Sequence, residues 1–371
     1  MDALISLSQL AIVLVISLAL VTLSNKLKIS NVVLLIAAGM VIGALRYNGA
    51  PIFEVSEIFI EGFVMLALVI VLFDSGLRLR AKEFDTHTKK ASLFAVVQFI
   101  ITTLVISLIL NLAFKFPLTQ SVMLASLIAG TSISFIFMCY KKGRAVEIIR
   151  TEATINNLLL IVVSAVMLVL LKTNFNVMYS VQQVIFGLSS SLIVGIIFFK
   201  FMRKYYSEIM SPIALFTASL ATYALAENMN GSGIIAIASL GFFFGHITVK
   251  NKEELLKFSS NLSNIFKIIT FMLLGILVKI NFDSDIVLKS IVVFIAYIIT
   301  RTLAVNLSLF GDFHFKEKIF IALNSSKGAA VAVLILFSLS MISIPLSQIA
   351  LLVLVYSAII SSIIPHLKLS D

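Results

Sequence analysis

Apolar runs of about 20 residues, the length that crosses a hydrocarbon core, recur along the whole chain with only short polar breaks between them. Nothing else in the sequence restricts the fold as tightly, because hydrocarbon offers no partner to the backbone and admits only helices or closed barrels. Runs of this length with no strict alternation read as helices, about thirteen of them. They cover residues 3–23, 31–45, 58–76, 92–113, 119–139, 151–171, 179–202, 210–228, 232–249, 256–278, 286–309, 319–340 and 346–364. With 60% hydrophobic and 12% charged residues among 371, the chain does not fit a soluble multidomain protein. A single Cys, Cys139, excludes a disulfide framework, and no loop exceeds about 15 residues, too few for a separate catalytic domain. We therefore expect one all-α polytopic membrane domain over 1–371, with no soluble regulatory domain, no enzyme activity and no cofactor. The four His fall in loops or at span ends with no ligand spacing, so no metal site is expected.

The net charge of +10 reports topology rather than nucleic-acid binding. Of the 28 Lys and Arg, 20 fall in loops on one side of the membrane and five on the other. Basic loops stay cytoplasmic, which puts the N-terminus outside and the C-terminus inside and requires an odd number of crossings. The first run follows Asp2, has no basic stretch before it and no cleavage site, so it reads as the first membrane helix. Tyr140, Tyr179 and Tyr205 sit at span ends as interfacial anchors.

Three bases, Lys267, Arg301 and Lys327, fall inside apolar runs, where an unpaired charge costs several kcal/mol. Acids able to meet them are Asp74, Glu152, Glu227 and, near one entrance, Glu61. Two spans also carry small and polar clusters. In 119–139 the cluster is Gly130, Thr131, Ser132 and Ser134, and in 319–340 it runs from Asn324 to Ala330. Small residues alone allow close helix packing. These clusters, however, fall at the fifth position of two six-helix units, 1–171 and 209–371, joined by a linker helix at 172–208. An offset of seven spans inverts the second unit, and broken helices at matching places of inverted repeats point to a transport site near the midplane. In the span between, Glu152 and Asn156 share a helix face and Ala153 and Asn157 form the next row. Two adjacent amides could equally serve interhelical hydrogen bonding alone.

These stretches together resemble the monovalent cation/proton antiporter superfamily, in particular its Na+/H+ exchanger branch. Leu72 to Leu79 is similar to an LF-x-x-GL-x-L segment. Ala226-Glu227, Ser232-Gly233, Ala236, Gly241 and Gly245 are similar to an AE-x4-SG-x2-A-x4-G-x3-G pattern, Glu152 to Asn157 to ESLLND, and Ser326 to Ala329 to a basic-Gly-Ala segment. Arg301 stands where the family commonly carries Arg. The resemblance implies the antiporter fold, a homodimer in the bilayer, and an ion site at Thr131, Ser132, Glu152, Asn156, Asn157 and Lys327. Asp74, Glu227 and Arg301 are then structural or coupling charges.

The departures fall on that site. Where the family has Thr-Asp-Pro this chain has Thr131-Ser132-Ile133, Ala153 replaces a Ser, and Asn157 replaces the Asp associated with exchange. An amide does not titrate near neutral pH, so Glu152 becomes the first candidate for proton coupling, with Glu227 or Asp74 behind it. The resemblance further pairs Glu152 with Lys327, either as a structural ion pair or as a relay, since a buried Lys can release its proton. We expect Asp74 to pair with Arg301, leave Lys267 without an assigned partner, and read Gly241 and Gly245 as a close helix contact, internal or between protomers. The expected function is exchange of a monovalent cation, Na+ or K+, for protons by alternating access. A scaffold of the same fold without exchange, or a carrier of an anion or neutral solute, are the alternatives.

Overall fold

The computed structural model describes residues 2–27, 29–47, 50–51, 57–78, 86–132, 143–173, 176–278, 283–309 and 311–364. Ile133, Ser134, Cys139, Tyr140 and Leu79 lie outside them. The described residues form fourteen α-helices and a π-helical turn, Ile109–Ala113, that extends the fourth. They are α1 (Asp2–Leu27), α2 (Asn31–Ala44), α3 (Glu57–Leu77), α4 (Thr86–Leu108), α5 (Leu118–Ala129), α6 (Arg144–Lys172) and α7 (Val177–Lys204). After these come α8 (Met210–Asn228), α9 (Gly233–His246), α10 (Lys252–Leu277), α11 (Ser284–Ser308), α12 (Phe315–Leu323), α13 (Ala329–Ser338) and α14 (Ile344–Ile363). A two-residue antiparallel pairing of Arg46–Tyr47 with Ala50–Pro51 follows α2.

Eight of these helices are long and apolar enough to cross a membrane, and four shorter ones are also apolar. Their ends follow local chemistry. Pro117 precedes α5, where its missing N–H costs nothing. Gly143, at φ +146°, starts α6, and α10 opens with Glu253 and Glu254, which suit a helix N-terminus. Burial is uneven across the bundle: α14 is mostly enclosed, whereas α1 and α7 turn most of their surface outward. Leu18, Val15, Ile185, Ile196 and Ile197 stand on those outward faces. Apolar surface on this scale is unfavourable in water and suits a hydrocarbon solvent.

The main core gathers α3, α10, α13 and α14, while a second cluster joins α4, the first turns of α6, the end of α11 and α12. At one end of that second cluster Asp312 meets Lys90 at 2.6 Å and Arg144 at 3.9 Å. The close contact expected of Gly241 is internal to the chain: α9 lies on α3 there, and a Cβ on Gly241 would come within 2.5 Å of the Phe73 carbonyl oxygen.

Both polar clusters are unwound over the residues the structure describes. In the predicted span 119–139 the helix stops at Ala129, and Gly130 is extended. The predicted span 319–340 divides into α12 and α13, with residues 324–328 unwound between them.

Candidate functional site

Unwinding frees backbone groups that lipid cannot satisfy, so the two breaks must find partners. They find each other. The Ser132 N–H donates to the Ser326 carbonyl at 2.7 Å, and the Ser326 hydroxyl donates back to the Ser132 carbonyl at 3.0 Å. Gly328 is required at this crossing, since a Cβ there would lie 2.9 Å from the Ser132 Cβ. Each half-helix that ends here presents carbonyls and the negative end of its dipole, and each receives a cation. The Lys327 ammonium donates to the Ile128 carbonyl near the end of α5 and sits 3.5 Å from the centroid of the Tyr297 ring. Arg301 donates from Nε to the Ala322 carbonyl at 3.1 Å and from Nη2 to the Asn324 carbonyl at 3.3 Å, capping α12.

The Arg301 fork also grips Glu152 with two bonds, Nη1 to Oε1 at 2.9 Å and Nη2 to Oε2 at 3.0 Å, both side chains having no solvent exposure. The expected Glu152–Lys327 pair is therefore not formed. A planar guanidinium satisfies both carboxylate oxygens at once, whereas the single ammonium of Lys327 serves a helix end instead. Thr131 Oγ1 donates to Glu152 Oε1 at 2.8 Å, and the Asn156 amide donates to the same oxygen at 2.5 Å. Asn156 also reaches Gln98 Oε1 at 2.7 Å. Gln98 continues the network to Thr102, which meets Thr300 at 3.1 Å. Gln98, Thr102 and Thr300 were not singled out from the sequence; a Gln within an apolar run was the available signal. Thr131, Glu152, Asn156, Lys327 and Arg301 are thus brought together as a buried knot beneath the crossing.

Asp74 stands elsewhere. The expected Asp74–Arg301 pair is also not formed: Arg301 faces α6 and α12, while Asp74 pairs with Arg78, just past the end of α3, at 3.2 Å and with Lys267 of α10 at 3.4 Å. Lys267, which sequence left unassigned, thereby gains an acid. Glu227 takes no part in either cluster. Its Oε1 accepts the Gly233 N–H at 3.0 Å, its Oε2 lies 3.9 Å from Lys172, and Ser232 caps the same helix start. The Ala226 to Gly233 motif is explained by this turn between α8 and α9.

Two cavities meet at the crossing. One, of about 290 Å³, runs from Asp74, Ser75 and Arg78 past Ser260, Asn264 and Lys267 to Ser132, Thr154, Asn157 and Gly328. The other, of about 280 Å³, is lined by Ser30, Asn31, Ser326 and Lys327 and shares Ser132, Asn264, Lys267 and Gly328 with the first. Of the expected ion-site residues, Ser132 and Asn157 line the first cavity; Thr131, Glu152 and Asn156 do not. The buried Oδ1 of Asn157 has no hydrogen-bond partner among the described residues. This is an acceptor held beside the cavity, available to a ligand or to water.

A family model described as sodium/hydrogen exchanger, transmembrane, matches residues 12–368. The chain is 24% identical over 343 residues to a K(+)/H(+) antiporter NhaP of Alkalimonas amylolytica, covering 88% of this chain and 59% of that protein. It is 25% identical over 357 residues to Na(+)/H(+) antiporter 1 of Methanocaldococcus jannaschii, covering 90% and 83% respectively. The chain thus spans under two thirds of the length of several relatives it matches. The solved structure of the sodium proton antiporter MjNhaP1 from Methanocaldococcus jannaschii at pH 8 superposes over 100% of both chains with a TM-score of 0.77 at 20% identity, a likeness of fold.

Proposed function

Because this chain belongs to the sodium/hydrogen exchanger family, whose model covers residues 12–368, we propose that it exchanges a monovalent cation, Na+ or K+, for protons by alternating access. The observation that carries this reading is the reciprocal crossing of two unwound segments at the inner end of a polar cavity. Ser132 and Asn157 stand at the ion position in place of the Asp residues that the family resemblance implies. Thr131, Glu152, Asn156 and Lys327 hold the crossing in shape, with Arg301 as the counter-ion of Glu152. Asp74 supplies negative charge to the cavity, and Glu227 braces the α8–α9 turn. In this reading the halves 1–171 and 209–371 are inverted repeats around the helix 172–208, and the protein works as a homodimer in the lipid bilayer. The basic loops favour an outside N-terminus and a cytoplasmic C-terminus.

One observation favours a second reading, in which an anion or neutral solute is carried: in the larger cavity Arg78 and Lys267 outnumber Asp74. A scaffold without exchange is the third. Vesicles containing the purified protein and a trapped pH dye decide among them. Under an imposed pH gradient, added Na+ or K+ is expected to drive protons across, while added choline is not. Silence toward Na+, K+ and Li+ together with anion-driven flux supports the second reading. Silence toward all of them supports the third.

A further inference from the structure

The charged side chains that line the cavities are Asp74, Arg78, Lys267 and Lys327 among the described residues. Lys327 is turned to the Ile128 carbonyl and the Tyr297 ring. Asp74 is the acid of this set, with a side chain 4% exposed against 23% for Lys267. Three groups approach its carboxylate besides Lys267: Arg78 Nε at 3.2 Å, Arg78 Nη2 at 3.4 Å, and the Ser259 hydroxyl at 3.5 Å. The other walls are neutral, with Thr154 and Asn157 from α6 and Gly328 to Ala330 from the start of α13.

We propose that Asp74 and Lys267 form the cation-exchange pair of this cavity: a transported monovalent cation reaches the Asp74 carboxylate, and the Lys267 ammonium is a tethered cation that competes for it. The proposal rests on the antiport reading given above. Three features carry it. Glu152 is fully enclosed and bonded through both oxygens, so among the described residues the carboxylate that lines the cavity is Asp74. The hydroxyl and amide oxygens of Ser132, Thr154, Asn157, Ser260 and Asn264 complete a lining suited to a hard cation. The Lys267 contact is long, and its ammonium is a point charge on a flexible stem that borders both cavities. A positive charge kept beside a bound cation lowers its affinity by about tenfold or more at the effective dielectric typical of protein sites. Lys267 thus sets how much cation the cavity needs before it fills.

The test is cation-dependent thermal stabilisation of purified protein, with NaCl or KCl replacing choline chloride at constant ionic strength. Lys267→Gln is expected to lower the half-stabilising cation concentration by about tenfold or more. Lys267→Arg, which keeps the charge, is expected to show no such gain, and Asp74→Asn to abolish the response. An unchanged half-point in Lys267→Gln, a full response in Asp74→Asn, or no response in wild type and Lys267→Gln alike overturns the pair. Should Asp74→Asn fail to fold, the two Lys267 variants decide alone. Proton flux in vesicles separates this from the reading beneath it. Cation-shifted melting without flux upholds the pair and overturns antiport, whereas flux with an unmoved half-point upholds antiport and overturns the pair.

Discussion

Glu152 and Asp74 are both carboxylates inside the bundle, and both have basic partners, yet their surroundings give them opposite availability. Glu152 has no exposure, a bidentate guanidinium, a threonine hydroxyl and an asparagine amide. Asp74 borders a cavity of about 290 Å³ and shares its oxygens between an exposed Arg78 and a loosely held Lys267. An enclosed acid with both oxygens bonded stabilises a shape. An acid at a cavity wall, with partners that can swing away, can exchange them. The difference lies in geometry and solvent access rather than in residue type.

The contrast can be broken most forcefully at Arg301. Replacing it with Ala leaves Glu152 buried without its counter-ion and frees the α12 carbonyls, and we expect a loss of about 3–5 kcal/mol, read as a lowered midpoint of unfolding in detergent. Gly328→Ala forces a Cβ against Ser132 and is expected to cost about 1–3 kcal/mol by the same measurement. Lys327→Met removes a helix-end bond but strands no carboxylate, so its cost is expected near 1 kcal/mol. A loss as large as that of Arg301→Ala would instead mean that Lys327 is the true partner of Glu152. Arg78→Gln should matter least, about 0.5 kcal/mol or less, because its side chain is 56% exposed and solvent screens the pair.

Much of this architecture was legible in the residues. Apolar run length located the helices, and the polar clusters at Gly130 to Ser132 and Asn324 to Gly328, at matching places of the two units, marked where the helices unwind. The resemblance named Glu152, Asn156 and Lys327 as neighbours of the crossing. The pairing was not legible. Arg301 and Lys327 carry the same charge, and only the packing of α11 against α12 decides which meets a residue 149 positions away. Asp74 in the last turn of α3 and Arg78 just past its end, four positions apart, were readable from spacing, and the Asp74–Arg301 expectation passed over it. Lys267 joins Asp74 across 193 positions, a contact that no local pattern encodes.

The claim that the two acids divide into a locked one and an available one is tested most directly by locating the cation. Crystals soaked in thallium(I), a heavy stand-in for K+, would be measured for anomalous scattering. We expect a thallium peak in the cavity beside Asp74, with Glu152 still gripped by Arg301. A peak in contact with Glu152, with Arg301 turned away from it, would make Glu152 the available acid instead.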